Sequence, residues 1–195
     1  MKFLLSGLLF LAVLASGCAP APQKMSAADR KAIQFVSISS DVPKPPAPYY
    51  LGPGGGVGLM FGALGAIVTE PGREKGRTSL LDFVEKNGVS IEKIVLEEFD
   101  AALRRSGKLL VADKAEAGAA TIKITIRQYG LSIPNGFSSK LVPILSVLCE
   151  MTDAYGKIVW SAGDRVLPLG NPVEGLPAEE IRDDAKAIER AWRAA

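Results

Sequence analysis

The sequence predicts an α+β fold, with one mainly antiparallel sheet and helices on one face of it. Residues 121–131 alternate apolar and polar side chains, as a half-buried strand does. Residues 153–156, DAYG, place turn residues between two apolar runs, which predicts an antiparallel hairpin. Residues 91–105 instead repeat apolar side chains at helical spacing. Because strands and helices follow one another in blocks, an α+β architecture is the economical one.

The stretch before the first predicted helix holds one strand and a long irregular segment. Residues 33–39 alternate well enough for a strand. Residues 41–53 carry five prolines, and since proline fixes φ and lacks an N–H, we expect an extended loop outside the sheet interior. This loop is either a stiff connector or, through Tyr49 and Tyr50, a strip on which a partner docks. Residues 70–77, EPGREKGR, are polar and are predicted to be a turn region.

Two helices are predicted next, at residues 80–86 and 91–105. Ser79 and Ser90 stand where N-caps are expected, and Gly107 follows the second helix, where a left-handed residue often ends one. The acidic side chains of the second helix are predicted to form a solvated face, the alternative being a carboxylate site for metal or acid–base chemistry: Glu92, Glu97, Glu98 and Asp100.

The remaining chain is predicted to form most of the sheet and a last helix. Strands are expected at residues 108–112, 121–131, 141–152 and 157–162, and Pro177 is expected to open the last helix.

Three residues within these strands have predicted local roles. Gly130 is expected to mark a bend or bulge. Pro143 places the first residues of its strand at an edge or a bulge, because proline cannot donate to a ladder. Cys149 is predicted to be a core residue, since a thiol nucleophile would lack its usual histidine partner in this sequence.

Composition excludes several function classes. The chain has 195 residues, no histidine and a formal charge of +2. Without histidine there is no Ser-His or Cys-His arrangement, and no metal site built on imidazole. A nearly neutral charge gives no argument for nucleic acid, which needs a concentrated basic face. We therefore expect no catalytic residues, no metal site and no cofactor.

The first eighteen residues, MKFLLSGLLFLAVLASGC, have the layout of a secretory signal, with a positive start, an apolar run and small residues before Cys18. Ending on cysteine, the stretch resembles the lipobox of bacterial lipoproteins, although Ala15 stands where Leu or Val is commonest. The resemblance implies that a lipid is attached to the Cys18 thiol and that the preceding peptide is removed. Ala19, in place of Asp, then points to the outer membrane. The alternative is an ordinary secretory signal that ends at a cysteine.

These features divide the chain into three parts. Residues 1–17 are the predicted signal peptide, and residues 18–31 are the acylated N-terminus with a flexible tether. Residues 32–195 form a single α+β domain, which contains a Pro/Gly-rich apolar insert at about residues 42–77. Once Cys18 carries lipid, no second cysteine remains to form an intrachain disulfide with Cys149.

A glycine-stepped apolar stretch is the other unusual part of the sequence. If residues 57–69 and their flank are helical, small residues at four-residue steps form a stripe on which a second helix packs closely: Gly54, Gly58, Gly62 and Ala66. The apolar length of about thirteen residues is short of the roughly twenty that a bilayer span needs. The stretch is either a membrane-contacting or self-associating element, or a short helix buried against the domain.

The expected function is that of a lipid-anchored, non-enzymatic envelope protein. It would bind protein partners or assemble at the periplasmic face of the membrane through the anchor on Cys18 and the glycine stripe. Two alternatives stay open, namely an envelope hydrolase that uses carboxylates and a carrier of lipid or another small ligand. The hydrolase needs two carboxylates facing each other in a cleft, and the carrier needs a sizeable apolar cavity.

Overall fold

A seven-stranded mixed sheet with helices packed on it forms the described part of the chain, which confirms the predicted α+β class. The structure is a computed structural model, and it describes residues 22–51, 70–112, 119–135, 138, 140–170, 173–177, 180–181 and 184–195.

The predicted order of first strand, helices, further strands and last helix is found, together with a short helix before the first strand and two short strands that were not predicted. The helices are α1 (Ala27–Ala32), α2 (Glu70–Lys86), α3 (Ile91–Ser106) and α4 (Ala185–Ala194). The strands are β1 (Phe35–Ile38), β2 (Tyr49–Leu51), β3 (Leu110–Val111), β4 (Ala120–Ser132), β5 (Lys140–Thr152), β6 (Ile158–Val166) and β7 (Leu176–Pro177).

The long hairpin of β4 and β5 is the centre of the sheet. Its antiparallel register runs from Thr121 opposite Thr152 to Ser132 opposite Val142. β6 and β7 extend β5 on its other side, also antiparallel. The path through the sheet is β3-β1-β4-β5-β6. The two longest pairings of the sheet, β4 with β5 and β5 with β6, are therefore antiparallel.

Two short strands pair with β4 in parallel, one after the other along the same edge. β1 pairs from Val36 opposite Ala120, and β2 pairs from Tyr49 opposite Gly130. The proline-rich segment that we expected to be only a loop therefore contributes an edge strand, which starts directly after Pro48. A proline before the strand leaves every N–H of β2 available for pairing.

Gly130 does not mark the bulge of β4, which lies between Ile126 and Gln128. Gly130 has a φ of 150° and lies directly opposite Tyr49 of β2. A Cβ atom at this position would overlap the backbone of Tyr49, its carbonyl oxygen above all. Glycine is required here for close approach of two strands rather than for a bulge.

The structure agrees with the edge position that was predicted for Pro143. It lies opposite Leu131 of β4, but on the other side β6 pairs only from Leu145 onward and β7 pairs only Lys140 and Leu141. Pro143 thus falls between the two partner strands, where no N–H is needed.

The predicted turn region at residues 70–77 is wrong, because α2 runs through it from Glu70. Pro71 lies in the first turn of the helix, where its missing N–H costs no hydrogen bond. α3 agrees with its prediction, since Ser90 accepts from the N–H of Lys93 and Gly107 follows with φ 62°.

The predicted opening of the last helix at Pro177 is also wrong. Pro177 lies in β7 opposite Lys140, and α4 starts at Ala185, where the Asp184 side chain accepts from the N–H of Lys186. Asp184 therefore supplies the N-cap of α4.

The core lies between the sheet and the helices α3 and α4. The buried isoleucines of β4 lie on one face, as their alternation predicted: Ile122, Ile124 and Ile126. Trp192 of α4 is fully buried and donates from Nε1 to the carbonyl oxygen of Gly130 at 3.0 Å. This bond fastens the last helix to the central strand.

Candidate functional site

An apolar groove of about 460 Å³ lies between the C-terminal end of α3 and the sheet. Three of its residues form a row across three strands, because Ile122 lies opposite Met151 and Met151 lies opposite Trp160. Directly opposed residues on neighbouring strands share one face of the sheet. These three side chains are therefore the floor of the groove.

The wall of the groove comes from α3 and the turn that follows it. Phe99 and Leu103 both line the groove and are four residues apart, so they lie on one side of the helix. Gly107 ends the helix in the left-handed region, and the chain then brings Lys108 and Leu109 to the same groove.

The N-terminal segment covers one side of the groove. Gln23 and Ser161 exchange two backbone hydrogen bonds of 3.0 Å, and the Gln23 side chain donates to the carbonyl of Ile158 at 2.9 Å. Ser26 then caps α1 by accepting from the N–H of Asp29. This part of the expected tether, residues 18–31, thus contains a strand contact and a helix.

Three of the residues that line the groove are cations: Lys24, Arg30 and Lys108. All three residues are exposed, and none of the described residues that line the groove is acidic. Within the described part of the chain, no carboxylate pairs with any of the three. The site therefore combines an apolar interior with a positive rim, which suits a ligand that has an apolar body and an anionic end.

A second polar cluster lies at the opposite end of β4. Lys44 pairs with Glu92 at 3.0 Å, and its Nζ atom is 5.5 Å from the centroid of the Tyr129 ring. Burial acts to raise the pKa of Glu92, but its hydrogen bonds, including the one from Lys44, outweigh burial and lower that pKa. The pair holds the proline-rich loop against α3.

Tyr129 is buried in this cluster, and its hydroxyl has no hydrogen-bond partner among the described residues. Its ring meets that of Trp192 edge-on, with centroids 5.8 Å apart. Burial raises the pKa of Tyr129, so the phenol stays neutral near pH 7 and does not act as a base. We assign the cluster a packing role.

Cys149 is buried, opposite Ile124 and Ala162 on the neighbouring strands, as its core prediction requires. Burial raises the pKa of the thiol to about 11. At neutral pH the group is therefore an unionised thiol and a poor nucleophile.

The carboxylates of α3 are ion-paired rather than gathered into a site. Arg193 of α4 donates to Glu98 at 2.9 Å and to Glu97 at 2.7 Å, and Arg104 donates to Asp100. No group of three potential ligands that would hold a metal ion occurs among the described residues. The alternative of a metal or acid–base site on this helix gains no support.

The five residues that the sequence singled out as sites lie outside the described residues: Cys18, Gly54, Gly58, Gly62 and Ala66. The groove was not predicted. Its rim residues Lys24 and Arg30 fall in the expected tether. Its wall and floor residues fall in the predicted helix 91–105 and in the predicted strands 108–112, 121–131, 141–152 and 157–162, and no site was predicted there. The sequence did show that Phe99 and Leu103 are four residues apart near the basic end of α3. That spacing is equally compatible with a groove and with a filled core.

No protein-family model matches this chain, and no match is found among curated proteins. Of the helices in the described ranges, none combines the length and the apolar content needed to cross a bilayer.

Proposed function

We propose that this chain is a lipid-anchored protein of the bacterial cell envelope that acts by binding and not by catalysis. The lipid is on Cys18, the last residue of the lipobox-like stretch, and Ala19 after it favours the periplasmic face of the outer membrane. Two or three acyl chains would hold the protein permanently, since each buried methylene contributes about 0.8 kcal/mol.

One observation carries the proposal of binding at the membrane surface. Gln23 is bonded to Ser161 of β6, and Gln23 is only five residues after Cys18. Five residues span at most about 17 Å even when fully extended. An anchor on Cys18 would thus hold the edge of β6, and the groove beside it, close to the headgroups.

The proposal of a non-enzymatic role is supported by the state of the candidate nucleophiles and carboxylates. The Cys149 thiol is buried, with its pKa raised to about 11. Glu97 and Glu98 are held by Arg193, and Glu92 is held by Lys44. A hydrolase that uses carboxylates needs a free facing pair, and these residues do not supply one.

A protein partner is the first candidate for what is bound. The sequence pattern of the glycine stripe supports it, because Gly58 and Gly62 would permit close packing of a second helix. A small ligand held in the groove is the second candidate, and the apolar floor of Ile122, Met151 and Trp160 favours it.

Labelled palmitate tests the anchor directly. We expect the wild type to incorporate the label and to stay with membranes after a carbonate wash, and the Cys18→Ser variant to do neither. Cys149→Ser is the matched control and should behave as the wild type, because its thiol is buried. Crosslinking in the same cells should capture a protein partner with the wild type and lose it with Gly58→Leu plus Gly62→Leu. Equal membrane recovery of the Cys18→Ser variant, with no label in the wild type, would refute the proposal.

A further inference from the structure

We infer that the groove binds one long-chain fatty-acid anion, with its acyl chain on the floor and its carboxylate at the cationic rim. This inference rests on the second candidate above, a small ligand held in the groove. It names the chemical class of that ligand, which neither the anchor on Cys18 nor the glycine stripe specifies.

The dimensions of the groove suit a single acyl chain. Its volume of about 460 Å³ lies within the range of roughly 300–1,000 Å³ that is typical of small-ligand pockets. The floor is three strands wide, from Ile122 through Met151 to Trp160, which corresponds to roughly 10 Å between the outer two strands. An acyl chain that lies across this floor would contact side chains of all three strands.

The lining is adaptable as well as apolar. Met25 and Met151 face the same space, and methionine side chains adjust to chains of different length because they are unbranched and polarizable. Met25 belongs to the N-terminal segment, which is held to the sheet at Gln23. The ligand would therefore lie under a segment that leads directly to the membrane anchor.

The rim decides the charge of the ligand. Lys24, Arg30 and Lys108 line the mouth, and no acidic residue does so among the described ones. A carboxylate placed there would form charge-assisted hydrogen bonds. A neutral amphiphile of the same length would fill the floor but leave all three cations to water.

Two other occupants fit less well. The lipid expected on Cys18 carries no negative charge, so it would not match the rim. The apolar stretch 52–69 follows Leu51, which pairs with Ser132 of β4. The groove lies at Ile122, ten residues away along the same strand. That separation is roughly 34 Å along a strand, so the stretch begins at the far end of the sheet.

The test uses the full acylated chain in phosphatidylcholine nanodiscs and a palmitate that carries a diazirine. After irradiation, mass spectrometry locates the crosslinked peptides, and unlabelled palmitate competes to give an apparent Kd. We expect the label on the peptides that contain Met25 and Met151. Leu103→Glu, which places a charge on the wall, should abolish the label.

A charge-reversal pair keeps the inference testable if Leu103→Glu does not fold. Lys24→Glu with Lys108→Glu changes only exposed residues and should weaken binding about tenfold, because each exposed ion pair is worth up to about a fivefold change in Kd. Lys86→Glu with Lys186→Glu alters the net charge equally at exposed sites remote from the groove and should leave the Kd unchanged.

Several results would overturn the inference. One is equal competition by the neutral alcohol of the same chain length. Another is a label found only outside the groove, or only within residues 52–69. A third is a label in the groove that occurs only with Cys18→Ser, because the protein's own anchor would then occupy the groove in the wild type. Acylation of Cys18 is measured in the same preparation. If Cys18 is acylated and palmitate does not bind, only this inference fails, whereas a wild type without lipid would refute the proposed anchor whatever the groove binds.

Discussion

Single residues carry much of the specificity of this fold, and Gly130 is the clearest case. It combines a φ of 150° with a backbone contact from Tyr49 that leaves no room for a Cβ atom. Its carbonyl oxygen also accepts the indole N–H of Trp192. Strand β2, strand β4 and helix α4 therefore meet at one glycine.

We predict that Gly130→Ala destabilises the protein by about 3 kcal/mol or more, since it adds both a steric overlap and an unfavourable φ. Urea unfolding followed by circular dichroism measures the change. Gly156→Ala is the matched control, because Gly156 also has a positive φ, of 80°, but has no atom within 4 Å of the added Cβ. It should cost only about 1 kcal/mol. Equal costs for the two variants would show that the contact with Tyr49 is unimportant.

Residue roles that depend on local chemistry were predictable only in part. Ser79 was expected to be an N-cap but lies inside α2. Ser90 and Gly107 were expected to bound α3 and do so, since a hydroxyl before a helix and a glycine after it act within one turn. The role of Gly130 depends on β2, which lies far earlier in the chain, so the sequence showed only that a glycine was unusual there.

At the scale of elements, helices α3 and α4 are joined by one arginine. Arg193 donates to Glu97 and Glu98 of α3 and to Glu189 of its own helix. The hydrogen bond from Arg193 lowers the pKa of the Glu97 carboxyl below its ordinary value of 4.5. A carboxyl with a lowered pKa stabilises the folded state above about pH 4.5, and this contribution is lost as the pH falls through the folded-state pKa.

We predict that Arg193→Gln lowers the melting temperature at neutral pH and also reduces its decline on acidification. The wild type loses the Glu97 contribution when the pH falls below about 4.5, whereas the variant has already lost it. Melting curves at several pH values from about 7 to about 3 test this, with Arg165→Gln on β6 as the control. Parallel pH profiles for the wild type and Arg193→Gln would contradict the role of this ion pair.

Elements with a strong internal pattern were predicted well, and elements that depend on partners were not. The alternation of β4 and the helical spacing of α3 are properties of those segments alone, and both predictions are confirmed. β2 is three residues long and exists because Gly130 admits it. The first turns of α2 were missed because its two glycines and one proline argue for a turn when only propensity is considered.

The whole molecule brings together residues that no sequence spacing connects. The groove takes side chains from the N-terminal segment, α3, β4, β5 and β6, and it exists only when the sheet has formed and the segment at Gln23 is paired. The charges and the apolar residues could be counted in the sequence. Their convergence on one groove depends on strand register, which the sequence did not specify.

The short separation between Gln23 and the proposed anchor on Cys18 leads to a prediction for the intact protein. Inserting about 20 Gly/Ser residues between Ala21 and Pro22 adds roughly 25 Å of average reach. Energy transfer from tryptophan to dansyl-labelled lipid headgroups should then fall, while palmitate labelling of Cys18 persists. The same insertion after Leu169, an exposed loop position, should leave the transfer unchanged. Transfer that is insensitive to the spacer would mean that β6 does not lie near the bilayer.

The pairing of Gln23 with Ser161 also bears on aggregation. β6 is the last strand on its side of the sheet, and an outermost strand offers unpaired N–H and C=O groups to any other chain that meets it. Here Gln23 of the N-terminal segment occupies one such position, at Ser161. Asp164 and Arg165 place charges further along the strand. If the proposed anchor brings copies together in one leaflet, the β6 edge that they meet is partly paired and partly charged, which disfavours their joining into a continuous sheet.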